Sequence, residues 1–251
     1  MMKKSIQLFI TCLPDTFRPS IGEAVLNIFA KIGIEVNFPR EQTCCGQPAF
    51  NAGMRKQARK LAIHTIEAFE KSHDPIILPS GSCTAMLRKN YLELFKNDPE
   101  WLPRAQRIAQ RTYEFTEYLV DIVGVTELGA SYPGPVTYHP SCHLHRSLGI
   151  EKQPLLLLSR VKDSTKPGHY LEIKDLPNAE ECCGFGGVFS VEHPHISKEM
   201  LQKKISHIQE TQTATVVTAD TGCLLHIAGG LHRQGKKPRI VHIAEVLSNG
   251  S

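Results

Sequence analysis

Two Cys-Cys-Gly stretches, Cys44-Cys45-Gly46 and Cys182-Cys183-Gly184, constrain this chain more than any other feature. Each pair stands between an upstream and a downstream cysteine, Cys12 and Cys83 around the first and Cys142 and Cys223 around the second. All 8 cysteines are thereby used, four in each half. Corresponding cysteines are offset by 130, 138, 138 and 140 positions, which indicates duplication of one unit with small loop insertions. A repeat of that length is a domain, since solenoid units recur every roughly 20–50 residues.

Around the cysteines the chain reads as strands alternating with helices. Residues 6–11 form a short apolar run ending at Cys12 and Pro14, a first strand. Ser20 and Glu23 have the spacing of a capping box and open a helix with Ile21, Val25, Ile28, Phe29 and Ile32 on one face. Residues 34–38 are a second strand leading into the loop of Cys44 and Cys45. Met54, Ala58, Leu61, Ala62, Ile66 and Phe69 mark another amphipathic helix. Residues 76–78 are a third strand, delivering Ser80-Gly81-Ser82-Cys83 at its far end. In the second half, residues 136–138, 169–173 and 215–218 are expected as strands, with a helix across Ile196, Met200, Leu201, Ile205 and Ile208. Residues 239–242 add a last strand before a short C-terminal helix.

Between the halves, residues 90–128 are expected to be a helical connection, with Trp101 near its start and Ile108, Phe115, Leu119 and Ile122 as a buried stripe. The turn-rich residues 129–135 are the expected linker. The fold class is therefore α/β: two pseudo-repeated βαβ domains with small parallel sheets, residues 1–130 and 131–251. In such sheets the loops that enter helices share one edge, so cysteine sites belong at the C-terminal strand ends and the two edges are expected to face a shared cleft.

A chain of 251 residues with 41% hydrophobic and 22% charged residues has the composition of an ordinary globular protein. Its net charge of +4 is spread without a basic block, so neither nucleic acid nor a membrane surface is an implied partner. No apolar run reaches the length of about 18 residues that a bilayer requires, so no membrane span is expected. The opening residues 1–13, with Lys3 and Lys4, resemble a signal peptide. Gln7 and Thr11 interrupt the apolar run and no small-residue cleavage site follows, so a buried strand is the better reading. The expected location is cytoplasmic, where thiols stay reduced and clustered cysteines point to metal or redox chemistry.

Four thiolates at one sheet edge are a full coordination set for zinc or for an iron–sulfur cluster. Neighbouring cysteines bridge each other only through a strained ring, and they do not form the Cys-x-x-Cys knuckle of a zinc ribbon. A multi-iron cluster has separated metal corners that adjacent cysteines can reach. An iron–sulfur cluster is the leading expectation; zinc in one half, and disulfides or buried thiols, stay open. The candidate metal ligands are Cys12, Cys44, Cys45 and Cys83, and Cys142, Cys182, Cys183 and Cys223. Gly46, Gly184, Gly186 and Gly187 are candidate cofactor-binding positions, whose backbone amides can approach a cluster or substrate; a tight turn is the plainer reading. His139 and His143 flank Cys142, whereas Phe9 and Leu13 stand around Cys12, so these histidines are candidate catalytic groups for proton transfer beside a redox centre. A Cys142–His143 nucleophile would leave six cysteines without a role. Arg146 and Lys152 are either carboxylate binders or solvated surface groups. No Gly-x-Gly-x-x-Gly nucleotide fingerprint is present.

The segments Thr11-Cys12-Leu13, Cys44-Cys45-Gly46-Gln47-Pro48-Ala49, Pro79-Ser80-Gly81-Ser82-Cys83, Cys182 to Gly187 and His242 to Leu247 resemble the CCG, or cysteine-rich, domain family. The resemblance covers essentially the whole chain. That domain occurs twice in the cysteine-rich component of heterodisulfide reductase and in iron–sulfur subunits of glycolate oxidase and anaerobic glycerol-3-phosphate dehydrogenase. The chain resembles the short, free-standing members that serve L-lactate oxidation. The resemblance implies an iron–sulfur electron-transfer component converting lactate to pyruvate with a ferredoxin-like iron–sulfur partner and a third lactate-utilization protein. It also implies one or two 4Fe-4S clusters on the eight cysteines. Heterodisulfide reductase modules end in Cys-x-x-Cys and hold a cluster with five cysteines, but Ser80 and Asp220 occupy the earlier position here. A four-cysteine cluster fits this pattern better. A heterodisulfide reductase-like thiol–disulfide oxidoreductase and a non-catalytic zinc-stabilised scaffold are the alternatives.

Overall fold

The computed structural model describes residues 5–250; Lys3 and Lys4, which bear on the signal-peptide reading, lie outside that range. The first repeat runs β1 (Ser5–Leu8), α1 (Cys12–Phe17), α2 (Ser20–Lys31), β2 (Glu35–Asn37), α3 (Gln47–Asn51), α4 (Arg55–Phe69), β3 (Ile76–Leu78), α5 (Gly81–Ala85), α6 (Tyr91–Leu94), α7 (Trp101–Gln110), β4 (Thr112–Glu114) and α8 (Phe115–Glu117). The second runs β5 (Ser131–Tyr132), β6 (Val136–His139), α9 (Lys152–Leu158), β7 (Lys162–Asp163), β8 (Ile173–Lys174), α10 (Phe189–Glu192), α11 (Pro194–Glu210), β9 (Thr215–Thr218), α12 (Thr221–Arg233), β10 (Arg239–His242) and α13 (Ile243–Ser248). Wider π-helical turns cover Met86–Asn90, Tyr118–Val123 and His143–Leu148.

The duplication is visible in the sheets. One has the order β2-β1-β3-β4 and the other β8-β6-β9-β10, with every pairing parallel. A short β5-β7 pair stands apart. Central strands of parallel sheets are covered on both faces, which favours unbroken apolar runs. Ile76, Ile77 and Leu78 of β3 and Val216 and Val217 of β9 are accordingly fully buried.

Several local expectations give way to pairings that lie far off in sequence. Residues 90–128 are not all helix: β4 extends the first sheet, with Ile76 opposite Thr112 and Leu78 opposite Glu114. Phe115, Leu119 and Ile108 are buried as expected, but Ile122 is 49% exposed. Residues 129–135 are not a bare linker, since Ala130 and Tyr132 are buried and β5 lies among them. The second strand of the second half is Ile173–Lys174, later than residues 169–173. Ser20 does not cap its own helix. Its hydroxyl donates to Glu245 of α13 at 2.8 Å, and Arg18 donates to the same carboxylate at 2.8 and 3.0 Å.

That contact pins α13 against α2, and the core follows it. One apolar cluster joins Ile6, Leu8, Val25 and Phe29 to Val136, Val217, Val241 and Val246. Two further clusters lie behind the individual sheets, one around Phe9, Phe69, Phe95 and Trp101, the other around Ile205, Ile208, Leu224 and Ile227. Burying a side chain such as Val246 or Leu247 contributes about 1.5–3 kcal/mol. Because the shared cluster bridges the repeats, the C-terminal edges of the two sheets are held opposite each other.

Candidate metal centre

All eight cysteines line one cavity of about 490 Å³ between the two sheet edges. Cys12 begins α1 just beyond β1, and Cys83 and Cys223 lie in the first turns of α5 and α12 beyond β3 and β9. Each cysteine pair precedes a glycine with left-handed backbone, Gly46 at φ 88° and Gly184 at φ 89°. These two glycines also lie against the next long helix. A Cβ on Gly46 would stand 3.3 Å from the Ala58 carbonyl of α4, and one on Gly184 would stand 2.7 Å from the Ser197 carbonyl of α11. Bulk is excluded twice over there, by φ and by contact. The turn they permit aims an amide at sulfur: Gly46 N donates to Cys44 Sγ at 3.4 Å and Gly184 N to Cys182 Sγ at 3.3 Å. Gly186 and Gly187 also have positive φ, and Gly187 faces Pro48 of the first repeat across the cavity.

All eight cysteines are free thiols. Cys45 and Cys83 sulfurs are 3.1 Å apart and those of Cys183 and Cys223 3.4 Å, contacts well beyond the disulfide bond length of about 2.05 Å. In each half one sulfur is poised to be the thiolate. Cys44 is held well below the ordinary thiol range by hydrogen bonds from Cys12 and Cys45 and by the Gly46 amide. Cys182 is lowered in the same way by Cys142, Cys183 and the Gly184 amide. Their donors are pushed the other way: Cys12 is raised by its bond to Cys44 and by burial, and Cys142 by its bond to Cys182 and by burial. Such an arrangement concentrates negative charge where a soft cation can replace the shared protons.

Second-layer contacts hold the sulfurs in place. Gln42 donates to the Leu8 and Pro39 carbonyls and accepts from Ile10 N, tying the Cys44 loop to the end of β1. Tyr91, fully buried, donates to the Cys45 carbonyl at 2.8 Å. Ser80 and Asp220, which stand where the five-cysteine modules carry another cysteine, are helix caps here. Ser80 Oγ accepts from Cys83 N at 3.3 Å, and Asp220 Oδ1 from Gly222 N at 3.0 Å. Asp220 Oδ2 also accepts from Ser82 N of the first repeat at 2.9 Å, so one carboxylate braces both halves. Thr11, next to Cys12, holds φ 70°, a strained backbone for a β-branched residue.

The two histidine candidates differ. His139 is 1% exposed, and neither ring nitrogen has a hydrogen-bond partner. One of its nitrogens lies within 4.8 Å of the sulfurs of Cys183 and Cys223, which are themselves within that distance of each other. Burial, and then Lys204, lower its pKa to about 3. His143 lines the cavity, with Nδ1 3.7 Å from Cys142 Sγ and Nε2 3.3 Å from Gln47 Nε2 of the first repeat. Arg146 donates to the Glu180 carbonyl, and neither it nor Lys152 lines the cavity.

Lys204 of α11 escaped the sequence reading. It is fully buried, donating to the carbonyls of Asn178 and Ala179 at 2.8 and 3.1 Å in the loop that leads to Cys182. Burial lowers its pKa, and the sulfurs of Cys183, Cys182 and Cys223 lie within its electrostatic reach. A lysine inside the apolar stripe Leu201, Ile205, Ile208 was the signal that could have found it.

The donor set fits a thiophilic metal centre. Each half offers four soft sulfurs, adjacent cysteines able to serve different metal corners, and an amide aimed at sulfur. Among the described residues no helix is long and apolar enough to cross a membrane. The CCG cysteine-rich domain matches twice, at residues 6–88 and 136–228. The chain is 45% identical over 246 residues to lactate utilization protein A of Bacillus cereus (strain B4264), covering 98% of this chain and 99% of that one. It is 47% identical over 244 residues to lactate utilization protein A of Bacillus pumilus (strain SAFR-032), covering 97% and 99%.

Proposed function

Because the chain belongs to the CCG cysteine-rich domain family, we propose that it is an iron–sulfur electron carrier in a system that oxidises L-lactate to pyruvate. Residues 1–130 and 131–251 each supply one tetrad. Cys12, Cys44, Cys45 and Cys83 hold one 4Fe-4S cluster, and Cys142, Cys182, Cys183 and Cys223 hold a second. A bound cluster supplies reversible one-electron transfer. The single observation that carries the reading is that eight sulfurs, remote along the chain, line one cavity.

The chain's own residues suit conduction better than substrate binding. Among the cavity-lining residues there is no lysine or arginine, and Asp220 is the one carboxylate. A 2-hydroxy acid would meet neither lysine nor arginine there, and in this reading its oxidation falls to a partner. That reaction releases two electrons and two protons, and the electrons pass through this chain one at a time. The partners are a ferredoxin-like iron–sulfur protein and a third lactate-utilization protein, and the assembly works in the cytoplasm. Burial of the Cys45, Cys83, Cys183 and Cys223 sulfurs limits water at both centres.

Anaerobic purification with iron and sulfide analysis tests this. The expected result is about eight irons per chain, matched by sulfide, with dithionite-bleachable visible absorption. A second reading, zinc in the second half, is favoured by the His139–Cys183–Cys223 grouping. Stoichiometric zinc without iron in anaerobically prepared protein would reject the electron-carrier reading in favour of a scaffold. Oxidation of the reduced protein by a disulfide would favour the thiol–disulfide reductase instead.

A further inference from the structure

The two tetrads are alike in sulfur and unlike in what surrounds them. Aligned on their cysteines, the repeats place His143 opposite Leu13, His139 opposite Phe9 and Lys204 opposite Ile66. At each of these places the second half carries a polar group and the first an apolar one. The amide donors, Gly46 and Gly184, are common to both halves. Beyond cysteine itself, His143 is the side chain that approaches a tetrad sulfur among the described residues' hydrogen bonds, and it does so in the second half.

The direction of that contact follows from Gln47. The Ser82 carbonyl can only accept, so the Gln47 atom 3.0 Å from it is the amide nitrogen. The same nitrogen is 3.3 Å from His143 Nε2, which must therefore accept. The ring proton is then on Nδ1, which faces Cys142 Sγ at 3.7 Å and donates to it. Gln47 belongs to the first repeat and His143 to the second, so the contact exists only in the assembled pair.

Resting on the iron–sulfur reading above, we infer that the second tetrad holds the higher-potential centre of the two and receives electrons from the first. His143 is the donor to Cys142, and Gln47 is the positioning residue that fixes its tautomer. Reduction adds one negative charge to a centre, and hydrogen bonds to its sulfurs or a nearby cation stabilise that charge and raise the potential. His143 and Lys204 both act in this sense on the second half, whereas Leu13 and Ile66 offer nothing equivalent to the first. The Asp220 carboxylate acts in the opposite sense on Cys142 and Cys223, but hydrogen bonds from Ser80 Oγ, Ser82 N and Gly222 N spread its charge, and the His143 contact to Cys142 sets the order.

A redox titration of the anaerobically purified full chain, followed by electron paramagnetic resonance, tests the inference. Two midpoint potentials are expected, and the Cys182→Ser/Cys183→Ser double variant removes the higher one. His143→Leu, with iron content and circular dichroism like the parent, moves that potential toward the lower one and leaves the lower in place. Gln47→Leu produces a smaller shift in the same direction. Coincident potentials, survival of the higher one in the double variant, or no shift in both His143→Leu and Gln47→Leu would overturn it. A chain that binds no iron would overturn the electron-carrier reading itself, a result read from metal analysis before any titration.

Discussion

Gly81→Ala would press the two repeats apart where α5 meets the turn that carries Leu144. A Cβ on Gly81 would stand 2.8 Å from Leu144 Cβ, 3.0 Å from Leu144 N and 3.1 Å from Leu144 Cα. Non-bonded carbons prefer about 3.5–4.0 Å, so the backbones must separate by several tenths of an ångström. Two of the three atoms are backbone, and no rotamer of Leu144 relieves them. Overpacking of this kind costs about 1–3 kcal/mol, offset in part by the preference of a helix for alanine over glycine, at most about 1 kcal/mol. The net expectation is a loss of about 1–2 kcal/mol. The flanking Ser82 N would also be drawn from Asp220, loosening the brace between the tetrads. Gly229→Ala is the internal control. It lies inside α12, where the nearest atom to a new Cβ is Arg233 Nη1 at 3.6 Å, so it should gain about 0.5–1 kcal/mol. Urea unfolding of both variants separates the effects. If Gly81→Ala matched the parent, or moved in the same direction as Gly229→Ala, the close approach of the repeats at this residue would be refuted.

Two other perturbations read different parts of the structure. Gly184→Ala meets the Ser197 carbonyl at 2.7 Å and Met200 Cβ at 2.9 Å, whereas Gly187→Ala meets nothing nearer than 3.9 Å. Both carry the left-handed backbone penalty of about 1–2 kcal/mol, so the thermal midpoint should fall further for Gly184→Ala, and equal losses would contradict the packing. Glu114 is fully buried, and burial, outweighing the hydrogen bonds from Thr116 and Glu117, raises its pKa from 4.5 to about 7. The unfolded chain therefore ionises this group above pH 4.5 while the folded chain keeps the proton to about 7. Stability contributed by Glu114 falls as pH rises through that window, by on the order of 3 kcal/mol. Glu114→Gln keeps the acceptor and removes the titration, so its unfolding free energy should decline less between these pH values; identical slopes would exclude the assignment.

Much of the architecture could be read from the chain because its markers are local. β3 is an apolar run and β9 is centred on two valines, each ending shortly before a cysteine, and the helices that precede them, α4 and α11, carry apolar stripes. β4 escaped because Thr112, Tyr113 and Glu114 are too few for an alternating pattern and sit between two helical segments. The Ser20–Glu23 spacing satisfied every local rule for a capping box, yet the Ser20 hydroxyl is engaged by Glu245, 225 positions away. The gathering of the cysteines followed from parallel-sheet topology. The roles of the histidines did not, because whether His139 or His143 faces sulfur depends on the side-chain geometry of packed repeats. Tyr91, which fixes the Cys45 carbonyl, left no trace in any motif.

The seat of α13 on α2 makes the repeats a clasp and not two beads on a thread. Ile243, Val246 and Leu247 share one apolar cluster with Ala24, Val25 and Ile28. Cutting the chain within residues 129–135 and parting the pieces would strip that cover from the first repeat, leaving an oily strip on α2 facing water. Heat or denaturant should accordingly melt both halves as one cooperative body, and a ribosome must deliver α13 before the first repeat, though made long before, can close its outer wall.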